Sequence, residues 1–191
     1  MPGKIDDQNE VLSRFQQLPT NNHATILVVC VKGIGIKDFV GTMLEMDTSY
    51  SMQIRTTTSL PLPKQPDASE PRCRIDYIVF IVDLSNQQSF NMVKQAVTLV
   101  DVDYFLGRCC FILSKAKQEY LHSVDLNEVT DLVEAYDSTM FCGDLNNDED
   151  RMNIVEKVLH HAETVCGFRN NINPLLVSTT RQSFTFEEMT P

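Results

Sequence analysis

From Thr25 to Val31 the chain reads TILVVCV, an unbroken run of apolar and β-branched residues. A run this short and continuous predicts a strand buried on both faces, as in a parallel sheet covered by helices on either side. Lys32-Gly33-Ile34-Gly35 follows as a tight turn, and Ile36, Phe39, Val40, Met43 and Leu44 then recur at helical spacing. The order is strand, turn, helix. Met52 to Leu60 is Thr-rich and reads as a candidate edge strand. Pro61, Pro63, Pro66 and Pro71 make everything up to Arg72 a loop, because proline has no N–H to give to a ladder.

Ile75 to Val82 (IDYIVFIV) is the strongest strand signal in the chain. Ser85 or Asn86 can cap a helix whose Phe90, Val93, Val97 and Val100 form one stripe, and Gly107 ends that segment. Arg108 to Leu113 predicts a further buried strand. Leu126, Val129, Val133 and Tyr136 mark a helix, and Thr139 to Cys142 a short strand. A final helix carries Met152, Val155, Val158, Leu159, Ala162 and Val165. Strands alternating with helices imply right-handed crossovers. The expected fold is a three-layer α/β domain with a mostly parallel sheet over residues 23–168. A polar arm (1–22) precedes it, and an apolar knot at Ile172, Leu175, Leu176 and Val177 with a flexible polar tail (169–191) follows.

Composition narrows the function. The chain has 191 residues, 42% hydrophobic, which suits one domain. Lys and Arg total 16 against 26 Asp and Glu, a formal charge of -10 that repels a phosphate backbone, so no direct nucleic-acid partner is expected. Apolar stretches such as Ile78 to Val82 fall far short of the roughly 20 residues that cross a bilayer, so no membrane span is expected. Asp6, Asp7 and Glu10, without an apolar block, argue against a secretory signal or a transit peptide. Six cysteines without a CxxC pair read as reduced thiols of the cytosol or nucleus.

Ligands of such folds sit beyond the carboxyl ends of the strands, which directs attention to the turn after Val31. A Walker A loop needs framing glycines, a lysine and a Ser or Thr. With Lys37 as the loop lysine, Val31 and Ile36 occupy the glycine positions and Asp38 the hydroxyl position. A carboxylate about 4 Å from a phosphate costs about 4 kcal/mol at an effective dielectric near 20, half of what micromolar binding represents. The alternative is a plain strand-to-helix turn with Asp38 well placed in the first turn of the helix. Asp144, Asn146, Asp148 and Asp150 imitate a calcium loop, but Glu149 and Val155 replace its glycine and bidentate Glu. His160-His161 reads as a solvated helix face, Asp76 as the start of a strand and Asp83 as its end at the ligand edge. Neither a GxSxG elbow nor an HExxH helix is present. No cofactor, metal or small-molecule substrate is expected.

Arg74 to Phe90 (RIDYIVFIVDLSNQQSF) resembles a strand and the following helix start of Ras-like small GTPases. The functional motifs of that family are missing. The guanine-reading NKxD falls on Ser114-Lys115-Ala116-Lys117, and Met46 to Ile75 is too short and Pro-rich for a metal-binding switch. Ala24 to Leu27, the SLPLP tract Ser59 to Pro63, Pro71 to Val82, Val100-Asp101 and Tyr104 to Gly107 (YFLG) together resemble the centromere protein M family. That resemblance implies a GTPase-like domain that neither binds nor hydrolyses nucleotide, located in the nucleus at the inner kinetochore. It also implies contact with the helical solenoid of centromere protein I, in an assembly with centromere proteins H and K.

Two functions compete. In one, the domain is a non-enzymatic docking scaffold whose interface includes Leu106, Ile172, Leu175 and Leu176, unless Leu106 plugs the bottom of the domain and the C-terminal apolar residues fold back on the sheet. In the other, it is a nucleotide-dependent switch with an atypical loop, using Lys37 for phosphates and Asp83 or Asp38 for metal. A metal-dependent hydrolase at the strand ends lacks a second pair of ligands.

Overall fold

The first β-branched run does pair as a strand, shifted two residues toward the amino terminus. In the computed structural model, whose described residues are 12, 22–62 and 74–169, β1 is His23–Val29. Val31 already lies in the turn, because the last ladder bond of the run is the Cys30 N–H donating to the Thr57 carbonyl at 3.0 Å. The helix α1 (Ile36–Glu45), the edge strand β2 (Ser51–Thr57) and β3 (Tyr77–Asp83) follow. Next come α2 (Gln87–Val97), β4 (Cys109–Ser114), α3 (Leu126–Ala135), β5 (Thr139–Gly143) and α4 (Asp148–Cys166). The order of types matches the periodicity throughout.

All five strands are parallel, in the order β2-β1-β3-β4-β5. Alternate residues divide between two cores. Leu27, Val29, Ile78, Phe80, Val82, Phe111 and Leu113 meet Phe90, Val93 and Val97 of α2 and Val129 and Val133 of α3. Ile26, Val28, Tyr77, Val79, Ile81, Cys110 and Ile112 meet Phe39 and Met43 of α1 and Ile154, Val155 and Val158 of α4. The layers are therefore helix, sheet, helix, and the central strands read as continuous apolar runs because both faces are covered. Each fully buried Val, Leu, Ile or Phe contributes about 1.5–3 kcal/mol of transfer free energy, which is why β3, buried along its whole length, anchors the sheet.

Two local details depart from the periodicity. Asn86 caps α2 by accepting the Gln88 N–H, but the helix stops at Val97, so Val100 leaves the predicted stripe. Val100 instead forms a parallel bridge with Leu12, whose N–H donates to the Leu99 carbonyl at 2.9 Å and whose carbonyl accepts the Asp101 N–H at 3.1 Å. The polar arm is thus tied to the domain at this buried leucine. At the other end α4 stops at Gly167, whose φ of 78° suits glycine, and Phe168 stacks on Tyr50. The strand order reverses between β1 and β3, so the ligand crevice of this sheet type would open beyond their carboxyl ends.

Candidate functional site

The turn after β1 is built on glycine. Gly33 and Gly35 have φ of 94° and 68°, and Gly35 caps α1 without a side-chain bond. Ile36 and Val31 are half-buried against the core behind the sheet, and Ile34 is buried. Lys37 and Asp38 are exposed, Asp38 in the first turn, where the helix dipole favours it.

Oxygen acceptors stand over this turn. A Cβ on Gly35 would meet the Asn146 Oδ1 at 3.0 Å and the Leu145 carbonyl oxygen at 3.3 Å. The loop after β5 therefore rests on the glycine, with the Leu145 side chain fully buried in the same core as Ile34. A phosphate cradle requires converging donors; on the side of Gly35 where a Cβ would stand, two oxygen acceptors close in instead, and the Leu145 carbonyl is already held by the Arg151 guanidinium at 3.1 Å.

The second half of the crevice is equally occupied by its own side chains. Asp83, buried at the end of β3, accepts the Ser85 N–H and hydroxyl on Oδ1 at 2.9 and 2.7 Å. Its Oδ2 accepts the Lys115 ammonium at 3.0 Å, which also donates to the Ser85 hydroxyl at 2.7 Å. Lys115 has a positive φ of 62°, and its carbonyl accepts the His122 ring N–H at 3.0 Å. Lys117 pairs with Asp150 at 2.7 Å, and the Gln118 amide donates to Asp144 at 2.8 Å. The Lys117 ammonium, and behind it the Asp144 N–H, hold the Asp150 carboxyl below its ordinary range. The two lysines of the segment aligned with the guanine reader are thus spent on bonds within the domain.

The acidic loop after β5 works as a helix start. Asn147 caps α4 by accepting the Asp150 N–H at 3.0 Å, and Asp144 accepts the Asn146 N–H at 3.0 Å. Among the described residues no three His, Cys, Asp or Glu side chains converge to hold a metal ion. His161 is not on a solvated face, contrary to the sequence reading: it is half-buried, with Nδ1 2.6 Å from the Tyr77 hydroxyl. Burial first, and then the neighbouring His160, lower its pKa. Helical spacing could not show that α4 turns this position toward β3. Burial pushes the Cys30 thiol up to about 11 and those of Cys109 and Cys110 up to about 12, which leaves them unreactive.

The opposite edge of the sheet carries exposed apolar surface. Phe105 is buried, stacked on Phe80 and tilted against Tyr136 at 4.3 Å between centroids. Leu106 is 56% exposed and Val102, one turn earlier, 70%. Leu106 therefore does not plug the domain; Phe105 fills that role, a distinction between adjacent apolar residues that no periodicity could draw. Gly107, with φ of 81°, lets the chain turn back into β4, and a Cβ there would stand 3.7 Å from Val165 near the end of α4. Ile172, Leu175 and Leu176 lie outside the described residues.

A family model described as Centromere protein M (CENP-M) matches residues 9–184. The chain is 30% identical over 174 residues to human Centromere protein M, covering 91% of the chain and 94% of that protein. It is 29% identical over 173 residues to the protein of the same name from Bos taurus, covering 90% and 94%. With that of Xenopus laevis it shares 25% over 169 residues, covering 88% and 93%.

Proposed function

Because the chain belongs to the centromere protein M family, we propose that it serves at the nuclear centromere as a non-enzymatic docking subunit of the inner kinetochore. It is a GTPase-like scaffold without nucleotide that binds the helical solenoid of centromere protein I, in one assembly with centromere proteins H and K, and supports kinetochore assembly and chromosome segregation.

The observation that carries the nucleotide-free part is the state of the crevice. Asp83 and Lys115 neutralise each other at 3.0 Å, and the turn at Gly35 faces the oxygens of Leu145 and Asn146. A magnesium nucleotide would have to break the ion pair and displace the loop, leaving Asp83 to bind the metal and Lys37 the phosphates. Calorimetric titration of the purified full-length chain with GTP or ATP and magnesium is expected to give no heat beyond dilution. Saturable micromolar binding abolished by Lys37→Ala would restore the switch reading.

Docking draws support from the edge around Leu106. A leucine and a valine held outward on a short 3-10 turn and loop, over a buried Tyr104 and Phe105, are apolar anchors of the kind that carry interface energy. In sequence, the segment after α4 bears Ile172, Leu175 and Leu176, and these belong to the proposed interface.

A further inference from the structure

Between Gln118 and Asp150 the chain has ten Asp and Glu residues and no Lys or Arg. With 26 acidic and 16 basic residues in all, the formal charge of -10 belongs to this segment, and the rest is balanced. The segment folds into the turn Glu119–Leu121, α3, β5 and the start of α4, so the charge occupies one flank of the domain.

Eight of the ten carboxylates, all but Glu119 and Glu149, fall into two groups. Asp144, Asp148 and Asp150 are used within the domain, bonded to Gln118, Arg151 and Lys117. Glu128, Asp131 and Glu134 stand at every third position along α3, with Asp125 at its N-cap, where the carboxylate accepts the Asn127 N–H at 2.9 Å, and Asp137 just past its end; all five are exposed. Among the described residues no ion pair engages them. Like charges three apart repel along a helix, and Glu134, in the last turn, also opposes the helix dipole. At the head of this stripe, apolar surface is open to water: Tyr120 is 85% exposed, and Leu121 and Leu126 are exposed beside it in sequence.

A stripe that suits its helix at Asp125 and Glu128 but works against it from Asp131 to Glu134, joined to exposed aromatic and aliphatic side chains, fits a surface completed by another molecule. The carboxylates extend over about 14 Å from Asp125 to Glu134, at 1.5 Å per residue. They do not converge on a point where a metal ion could sit, and a nucleic acid would be repelled. Lys and Arg at helical spacing on a second helix match the stripe in charge and repeat. We propose that the outer face of α3, with Tyr120, Leu121 and Leu126, docks a Lys/Arg-rich amphipathic helix of another protein. The basic side chains meet the carboxylates and the apolar ones cover the tyrosine and leucines. This surface lies on the flank of the domain, apart from the Leu106 edge, and goes beyond the reading above.

The test is fluorescence anisotropy of the full-length chain with a labelled synthetic amphipathic helix of about 18 residues, Lys and Arg on one face and Leu on the other, at about 50 and 300 mM salt. Saturable binding is expected, weakened about tenfold or more by salt and by the triple variant Glu128→Gln/Asp131→Asn/Glu134→Gln. Tyr120→Ser/Leu121→Ser is expected to weaken binding while leaving its salt dependence intact. Glu45→Gln/Asp47→Asn/Glu156→Gln, which removes as much charge from other exposed positions, is expected to bind as the unaltered chain does. Equal binding by the unaltered chain and the α3 variant overturns the proposal. So does an equal loss in the control variant, which would mean attraction by net charge alone. Circular dichroism confirms that each variant is folded.

Discussion

Lys115→Met removes the cation from a carboxylate with little access to water. The side chain of Asp83 is 5% exposed and that of Lys115 23%, with Nζ 3.0 Å from Oδ2. At an effective dielectric near 20, charges that close attract by about 5–6 kcal/mol before hydration is counted. Removing one partner of a buried pair typically costs about 3–5 kcal/mol. Two bonds from Ser85 to Asp83 remain in the variant and soften the loss, so a destabilisation of about 3 kcal/mol is expected. Methionine keeps most of the aliphatic stem, and as an L residue it bears the same cost of a positive φ as lysine, so neither effect contaminates the difference.

Asp83→Asn should cost less, about 1 kcal/mol, because the freed Lys115 can turn toward water. The double variant should lose about 2 kcal/mol, a coupling of about 2 kcal/mol between the two sites. Urea unfolding of the four proteins measures all of these quantities. A Lys115→Met variant within about 0.5 kcal/mol of the unaltered chain, with no coupling to Asp83→Asn, would refute the reasoning. The pair would then not hold in solution, and Asp83 would be available to a metal after all.

Three further expectations concern other parts of the domain. Gly35→Ala should destabilise by about 1–3 kcal/mol in the same unfolding assay, since a left-handed backbone costs an L residue about 1–2 kcal/mol and the new Cβ would press on the Leu145 carbonyl. His161 has a lowered pKa in the folded chain, so the unfolded chain binds more protons below about pH 6.5. Its contribution is complete above that pH and is lost as the pH falls through the lowered value; thermal melts of His161→Gln should show a shallower decline over that window than the unaltered chain. Glu134→Gln should raise stability by about 0.5 kcal/mol by relieving repulsion from Asp131 and the helix dipole; a loss of stability in urea would show that Glu134 has an internal partner.

Much of the architecture was legible because both faces of the central strands are buried, which makes the runs Thr25 to Val31 and Ile75 to Val82 continuous. Asn86 marked the start of α2 for a local reason that survives folding, whereas Gly107, read as the end of that segment, stands ten residues past the helix end at Val97 and turns the chain into β4. What escaped depends on contacts distant in sequence. Leu12 sits alone in a polar arm, and only its bridge to Val100 reveals that it is core. Asp83 and Lys115 are 32 residues apart, joined by the parallel pairing of β3 with β4. The degenerate loop was readable from Val31, Ile36 and Asp38, but the acceptors over Gly35 come from the far side of the sheet. The acidic stripe was present in the sequence at a spacing of three, yet a net charge for the whole chain conceals where the charge lies.

The most direct test is size-exclusion chromatography of the full-length chain with centromere protein I in nucleotide-free buffer containing a chelator, run beside Leu106→Asp. The expected result is co-elution of the unaltered chain without nucleotide, and its loss in a Leu106→Asp variant that remains folded, since burial of a disrupted aliphatic anchor costs about 2 kcal/mol or more. Co-elution that requires GTP and magnesium, or that is untouched by Leu106→Asp, would contradict it.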